Sequence, residues 1–376
     1  MKLTRAEQQL VNESNDFAFD LFRQMQDEQK SQLLSPVSII HALGMLNNGA
    51  VGETQNQIIR ALGFGNATAD SINLFCLKML RRMPGLDRQT QVMIANTIYM
   101  NQGYELLPEF VSKAHTFYDA DSETRDFHDG KTRDVINQWA SDHTEGMIEE
   151  VLKEGEFDPN AVSYLLNAIY FKGTWAHQFK KNLTFRKEFN HAGGTEELTY
   201  CDMMQQMTKF EYAETDDVQA LQMPYGNGSF VMTILLPKIV EGKPSNRLPS
   251  APTGDEWRLL NKQMSLVKVD VKLPRFETKT DIDLIPIMQK LGMTKAFTPD
   301  ADFPNFCNER TFISLMKQSA RIKVDEEGTE AAAVTTTGLV ATSIDWIDFT
   351  ANHPFLYVIS EQQTGAVLFI GQYTGY

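Results

Sequence analysis

The sequence predicts an α+β fold built as one domain. Helical periodicity dominates the first third of the 376-residue chain, and strand patterns dominate from about residue 165. No regular βαβ alternation links the two, which argues for large, mainly antiparallel sheets rather than a doubly wound one. No Pro/Gly/Ser-rich linker or internal repeat divides the chain. A single domain over residues 1–376 is therefore expected, although length alone would suggest about two.

The early segments read as helices. Asn15 is placed to cap a helix whose Ala18, Leu21, Phe22 and Met25 recur at helical spacing. A second helix is predicted at "SPVSIIHALGML". Ser35 suits its N-cap and Pro36 its first helical position, where a missing N–H costs nothing. Ile39, Leu43 and Leu46 then share a face. Helices also fit "SINLFCLKMLRRM", "TRDVINQWASDHT" and, later, "DLIPIMQKLGM".

Strands are predicted at "QVMIANTIYM" and "VSYLLNAIYFKGTW". "FVMTILLP" is a continuous apolar run of buried-strand type. In "VKVDVKLPRFE", Val267, Val269, Val271 and Leu273 alternate with Lys268, Asp270 and Lys272, the pattern of a half-buried strand. "PFLYVIS" and "AVLFIGQY" flank a turn-rich connector and read as a hairpin.

Composition excludes several functions. The net charge of -14 and the lack of a basic cluster argue against nucleic acid and acidic membrane surfaces as partners. Cys76, Cys201 and Cys307 lack the spacing of a zinc site or a disulfide framework. No apolar run reaches the roughly 20 residues of a membrane span. "MKLTRAEQQL" lacks the apolar centre of a signal peptide.

Enzyme signatures are missing too. There is no G-x-S-x-G elbow, no H-E-x-x-H and no P-loop. "GFGNAT" lacks the last glycine of a dinucleotide loop and the strand before it. His41 falls in an amphipathic helix pattern and reads as a partly buried core residue. His143-Thr-Glu145 lacks the second histidine of a metal pair, and Cys76 reads as a small core hydrophobe. No enzyme, metal or cofactor is expected, although a triad dispersed along the chain would escape this search.

The unusual stretch is "VDEEGTEAAAVTTTGLVATSIDW", Val324 to Trp346. A helix fails at the β-branched run Val334 to Thr337 and at Gly338. As a structureless loop it exceeds the usual limit of about 12–15 residues. As a latent strand it works. Thr329, Ala331, Ala333, Thr335, Thr337, Leu339 and Ala341 are all small or apolar and uncharged, whereas the other face carries Glu330. On these residues alone, a small polar surface linker fits as well.

"EEGTEAAA" (Glu326, Glu327, Gly328, Thr329, Glu330, Ala331, Ala332, Ala333) resembles the hinge of the reactive-centre loop of serpins. The likeness extends in order along essentially the whole chain. "LLSPVSIIHAL" with "GAVGETQNQI" resembles the shutter region, and "NAIYFKGTW" the strand and turn after a long mid-sequence helix. "LPRFE", "LGMTKAFTPDADF" and "NHPFLYVI" with "TGAVLFIGQ" resemble later family blocks.

The resemblance implies a serpin fold with three β-sheets, about eight or nine helices and an exposed, mobile reactive-centre loop at about 326–350. It implies a protease inhibitor of the suicide type, in which a cleaved loop inserts into the central sheet and carries the acylated protease with it. An acyl intermediate restricts targets to serine or cysteine proteases. The family register gives Thr342-Ser343 as the reactive bond, with Leu339, Val340 and Ala341 as further specificity residues. Their small aliphatic side chains suit a shallow, elastase-like pocket. The shutter would comprise Ser35, Ser38, Asn167 and Gln318. Gln318 departs from the histidine of many inhibitory members, which implies an altered barrier rather than a lost fold. The loop after Ser343 is one residue longer than in common relatives, so cleavage after Val340 or Ala341 is the alternative. No basic helix matches a heparin site, and a monomer is expected. Family habit places the protein outside cells or in a periplasm, with the cytoplasm as the alternative. A non-inhibitory binding, carrier or chaperone member is the second reading.

Overall fold

The computed structural model describes residues 1–65, 67–191, 199–238, 247–329 and 346–375. Among them are eight α-helices: α1 (Arg5–Met25), α2 (Pro36–Asn47), α3 (Gly52–Ala61), α4 (Ala69–Arg82), α5 (Pro108–Tyr118), α6 (Thr132–Asp142), α7 (Gly254–Gln263) and α8 (Ile285–Lys290). The strands are β1 (Gln32–Leu34), β2 (Thr90–Asn101), β3 (Asp121–Arg125), β4 (Ser163–Thr174), β5 (Phe185–Phe189), β6 (Thr199–Glu214), β7 (Val218–Tyr225) and β8 (Phe230–Pro237). They continue with β9 (Ser265–Pro274), β10 (Phe276–Asp283), β11 (Leu315–Val324), β12 (Gly328–Thr329), β13 (Ile347–Thr350), β14 (Phe355–Glu361) and β15 (Val367–Tyr373).

One sheet runs in the order β10-β11-β4-β2-β3, and the short β12 pairs with β4. The second ladder runs β1-β15-β14-β8-β7-β6-β9-β13, with β5 on β6. Its long strand β6 pairs with β9 from Met203 to Tyr212 but with β7 only from Glu211 to Glu214. β6 thus joins two groups of strands, so the described strands form two hydrogen-bonded sheets. β4, β8, β14 and β15 are buried on both faces, as their continuous apolar runs require. β9 alternates as predicted, with Val269, Val271 and Leu273 buried and the charged residues between them half-buried.

Two helix readings need correction. α1 starts ten residues earlier than Asn15, at a capping box between Thr4 and Glu7. Asn15 is buried inside the helix, where its amide donates to the Gly365 carbonyl and accepts from the Val367 N–H. A polar residue read as a cap instead fastens α1 to the C-terminal hairpin. α2 is not amphipathic, because all twelve of its residues are buried. His41 is accordingly 1% exposed rather than partly buried, with both ring nitrogens facing backbone carbonyls. Burial pushes its imidazole below the usual value. α8 is a short helix, ended by Gly292 at φ +91°.

The main core joins α1, α2 and α4 to the sheets. A second cluster lies under α6, where Ile136, Trp139 and Ala140 group with Tyr99, Tyr164, Leu166 and Ala168. β4 therefore has apolar neighbours on both sides: Leu165, Ile169 and Phe171 belong to the main core, and Tyr164, Leu166 and Ala168 to the α6 cluster.

Candidate functional site

β4 and β11 are parallel neighbours, registered from Leu315 opposite Tyr164 to Arg321 opposite Tyr170. Beyond that seam the chain turns at Asp325–Glu327 and comes back as β12. Gly328 and Thr329 pair antiparallel with Thr174 and Gly173 of β4. The start of the unusual segment is thus built into the end of the sheet, at the point where β4 and β11 separate.

Side chains and backbone both hold this turn. Glu326 is 2% exposed and accepts from the Arg275 guanidinium at 2.8–2.9 Å and from the Thr184 hydroxyl at 2.5 Å. Burial alone would raise its carboxyl; Arg275 and Thr184 outweigh this and hold it below the ordinary value. The Trp175 and Phe179 amides donate to the Glu327 and Glu326 carbonyls, each at 2.9 Å. The Trp175 indole donates to the Asp325 carbonyl at 3.0 Å. Lys181 reaches the Glu327 carboxylate at 2.6 Å. Thr329 is 1% exposed and shares a 2.9 Å hydrogen bond with the Tyr225 hydroxyl, whose ring stacks on Trp175 at 4.3 Å.

Lower on the seam sits a row of side-chain amides. Gln318, Asn167 and Asn96 occupy directly opposed positions on β11, β4 and β2. Gln318 donates to Asn167 at 2.7 Å, and Asn167 donates to Asn96 at 2.8 Å. The other end of the Gln318 amide accepts from the Ser35 N–H at 2.8 Å, while its nitrogen also lies 3.0 Å from the Ser35 carbonyl. The Ser38 hydroxyl donates to Asn167. Ser35 stands at the N-cap position of α2, but its hydroxyl donates to the Leu368 carbonyl and does not cap. All four predicted shutter residues therefore meet in one buried cluster that ties α2 to both sides of the seam. On the opposite face, the segment after α6 is fixed to β11. Lys317 pairs with Glu156 at 2.5 Å, and Arg321 donates to the Met147 carbonyl at 3.3 Å.

Of the predicted hinge, Glu326, Glu327, Gly328 and Thr329 are placed. Glu330, Ala331, Ala332, Ala333, Leu339, Val340, Ala341, Thr342 and Ser343 lie outside the described residues. Sequence reading missed Arg275, Thr184, Trp175, Tyr225 and Asn96. Arg275 lies inside "LPRFE", one residue after β9, but its partner is 51 residues away. Asn96 did carry a signal, as an amide in the mainly apolar middle of a strand that pairs with the one bearing Asn167.

The chain matches the family model "Serpin (serine protease inhibitor)" over residues 12–375. The chain is a serpin. Human serpin B3 is 32% identical, covering 97% of this serpin and 99% of that protein. The thermophilic serpin tengpin in its native state superposes with a TM-score of 0.89 at 27% identity, covering 100% of this serpin and 96% of that chain. Human thyroxine-binding globulin in complex with its ligand superposes with a TM-score of 0.88 at 25% identity, covering 98% of each chain. The family includes many protease inhibitors, and the described residues of this serpin have the family's fold.

Proposed function

We propose that this serpin is a suicide inhibitor of serine or cysteine proteases with a shallow, elastase-like primary pocket. The observation that carries the reading is the position of Thr329, paired with β4 and buried at the upper end of the β4–β11 seam. Extending the β12 register puts Ala331 opposite Phe171, Ala333 opposite Ile169 and Thr335 opposite Asn167, and it reaches the end of β4 with Leu339 opposite Ser163. Directly opposed residues lie on the same side of a sheet, so these small residues would face the main core and Glu330 would face outward. No charge is buried by that insertion. Main-chain pairing with both neighbours and burial of the small face supply the driving force.

In this reading the protease attacks Thr342-Ser343. Its serine hydroxyl or cysteine thiol forms an ester or thioester with the Thr342 carbonyl, and the amine of Ser343 leaves. The freed strand then opens the seam. The test is incubation with an elastase, followed by a denaturing gel and mass spectrometry. A denaturant-stable complex, with cleavage after Thr342, is the expected result. Cleavage without a complex would replace this reading by a non-inhibitory one, such as a carrier.

A further inference from the structure

We propose that Glu330 is a positioning residue of strand insertion, received between Lys172 and Lys323 at the mouth of the β4–β11 seam. The proposal rests on the insertion reading above and deepens it. Glu330 lies one residue beyond Thr329, outside the described residues; its place in the inserted strand follows from the β12 register. One further step opposes Glu330 to Lys172 of β4. Two further steps of the β11–β4 register bring Lys323 level with Lys172. Phe171 belongs to the main core, so Lys172 points to the other face, where Glu330 would also point. In the intact protein Lys172 is half-buried, Lys323 is exposed, and neither ammonium has an ion-pair partner among the described residues.

The other charges around the mouth are engaged. Glu277, directly opposite Lys323 on β10, is held by Arg321 at 2.6–2.7 Å. Lys279 pairs with Asp281 at 3.8 Å, Lys181 with Glu327 and Arg275 with Glu326. Asp325 accepts the Glu327 and Gly328 amides at 2.9 and 3.3 Å. On its other side, Lys172 faces the uncharged Gln91 of β2. The mouth therefore holds two ammonium groups against one carboxylate, and Glu330 balances them. The two lysines also select the register. Thr329, Ala331, Ala333 and Thr335 are all small, so the inward face tolerates a slip of two residues. Such a slip would put Glu330 beside Tyr170 and an Arg321 already taken by Glu277, or beside Thr174 and the like-charged Asp325. Of the three registers, that of β12 alone gives it two lysines.

The test is a charge-reversal cycle read on the loop-cleaved chain. The parent, Lys172→Glu, Glu330→Lys and the double variant are cut by a protease that cleaves the loop without being trapped. They are melted beside their intact forms in about 20 mM salt. Urea, which carries no charge, is added equally to all samples to keep the transitions in range. The readout is the gain in melting temperature on cleavage. A defect of folding alone lowers the intact form as well and cancels in that gain. Each single reversal should reduce the gain by about 2–4 °C. The double variant should recover about half of the loss or more, because opposite charges again stand opposed. The recovery should fade at about 0.5 M salt. Additive losses with no recovery in the double variant would overturn the proposal and leave insertion in place. Absence of any gain in the parent would remove the insertion reading, and this proposal with it.

Discussion

Gln318 and Asn167 face each other across the β4–β11 seam, with the Gln318 amide donating to the Asn167 side-chain carbonyl at 2.7 Å. The same Gln318 side chain also bonds the Ser35 backbone, so one residue joins both strands to α2. Replacing Gln318 by Leu should leave buried groups unpaired and cost the intact protein about 1–3 kcal/mol. The loop-cleaved form should lose less, because the inserted strand would already have parted these residues. Denaturant unfolding of both forms checks this. Equal losses would mean that the seam does not open where the register says.

The Glu326–Arg275 pair gives a pH dependence. The Glu326 carboxyl is held below its ordinary value of 4.5, so its contribution is fully present above that pH. It is lost as pH falls through the lowered folded-state value. Exchange of the Trp175 and Phe179 amide protons, which bond the Glu327 and Glu326 carbonyls, should accelerate in that acid range beyond the intrinsic trend. Arg275→Met should make exchange fast already at neutral pH. A flat profile in both proteins would remove Glu326 as the latch.

Gly328 has φ +146°, and a Cβ there would run into the backbone of Gly173 and Thr174. Gly328→Ala should expel β12 from β4 and break the Thr329–Tyr225 hydrogen bond. We expect a loss of about 1–3 kcal/mol and a change in Trp175 emission. Unaltered emission and stability would contradict the close pairing of β12 with β4.

Insertion itself is best tested at Ala333. Thr329→Arg is ambiguous, since Thr329 is already buried against Tyr225 and the intact state would suffer as well. Ala333→Arg would bury an unpaired guanidinium only on insertion. The expected result is normal cleavage, no covalent complex and no gain in melting temperature after cleavage. The parent should gain. Trapping by the variant would rule out the extended register.

The sequence made the strand-compatible face of the hinge legible because it is local: alternate small residues can be counted without knowing what they touch. The four shutter residues came from family resemblance, not from pattern. Their meeting depends on registers between β2, β4 and β11, which no local signal fixes. The Glu326 latch was hidden for the same reason, since Arg275 and Thr184 are distant in the chain. Asn15 misled because an asparagine before a periodic apolar run has the look of a cap. Only the packed hairpin shows that its amide is used elsewhere, and the Thr4–Glu7 capping box, with Thr4 eleven residues earlier, was the true start.

The Lys317–Glu156 and Arg321–Met147 ties have a consequence in time. They hold the segment after α6 to β11, beside the seam that the proposed strand insertion would open. An acyl-enzyme waits only until water hydrolyses it. Loosening these ties would let more acylated enzymes be caught before release, and tightening them would turn the same loop into an ordinary substrate. Under the proposed mechanism, the number of inhibitor molecules used per protease would be decided by a race, and this face of the sheet would help to set its pace.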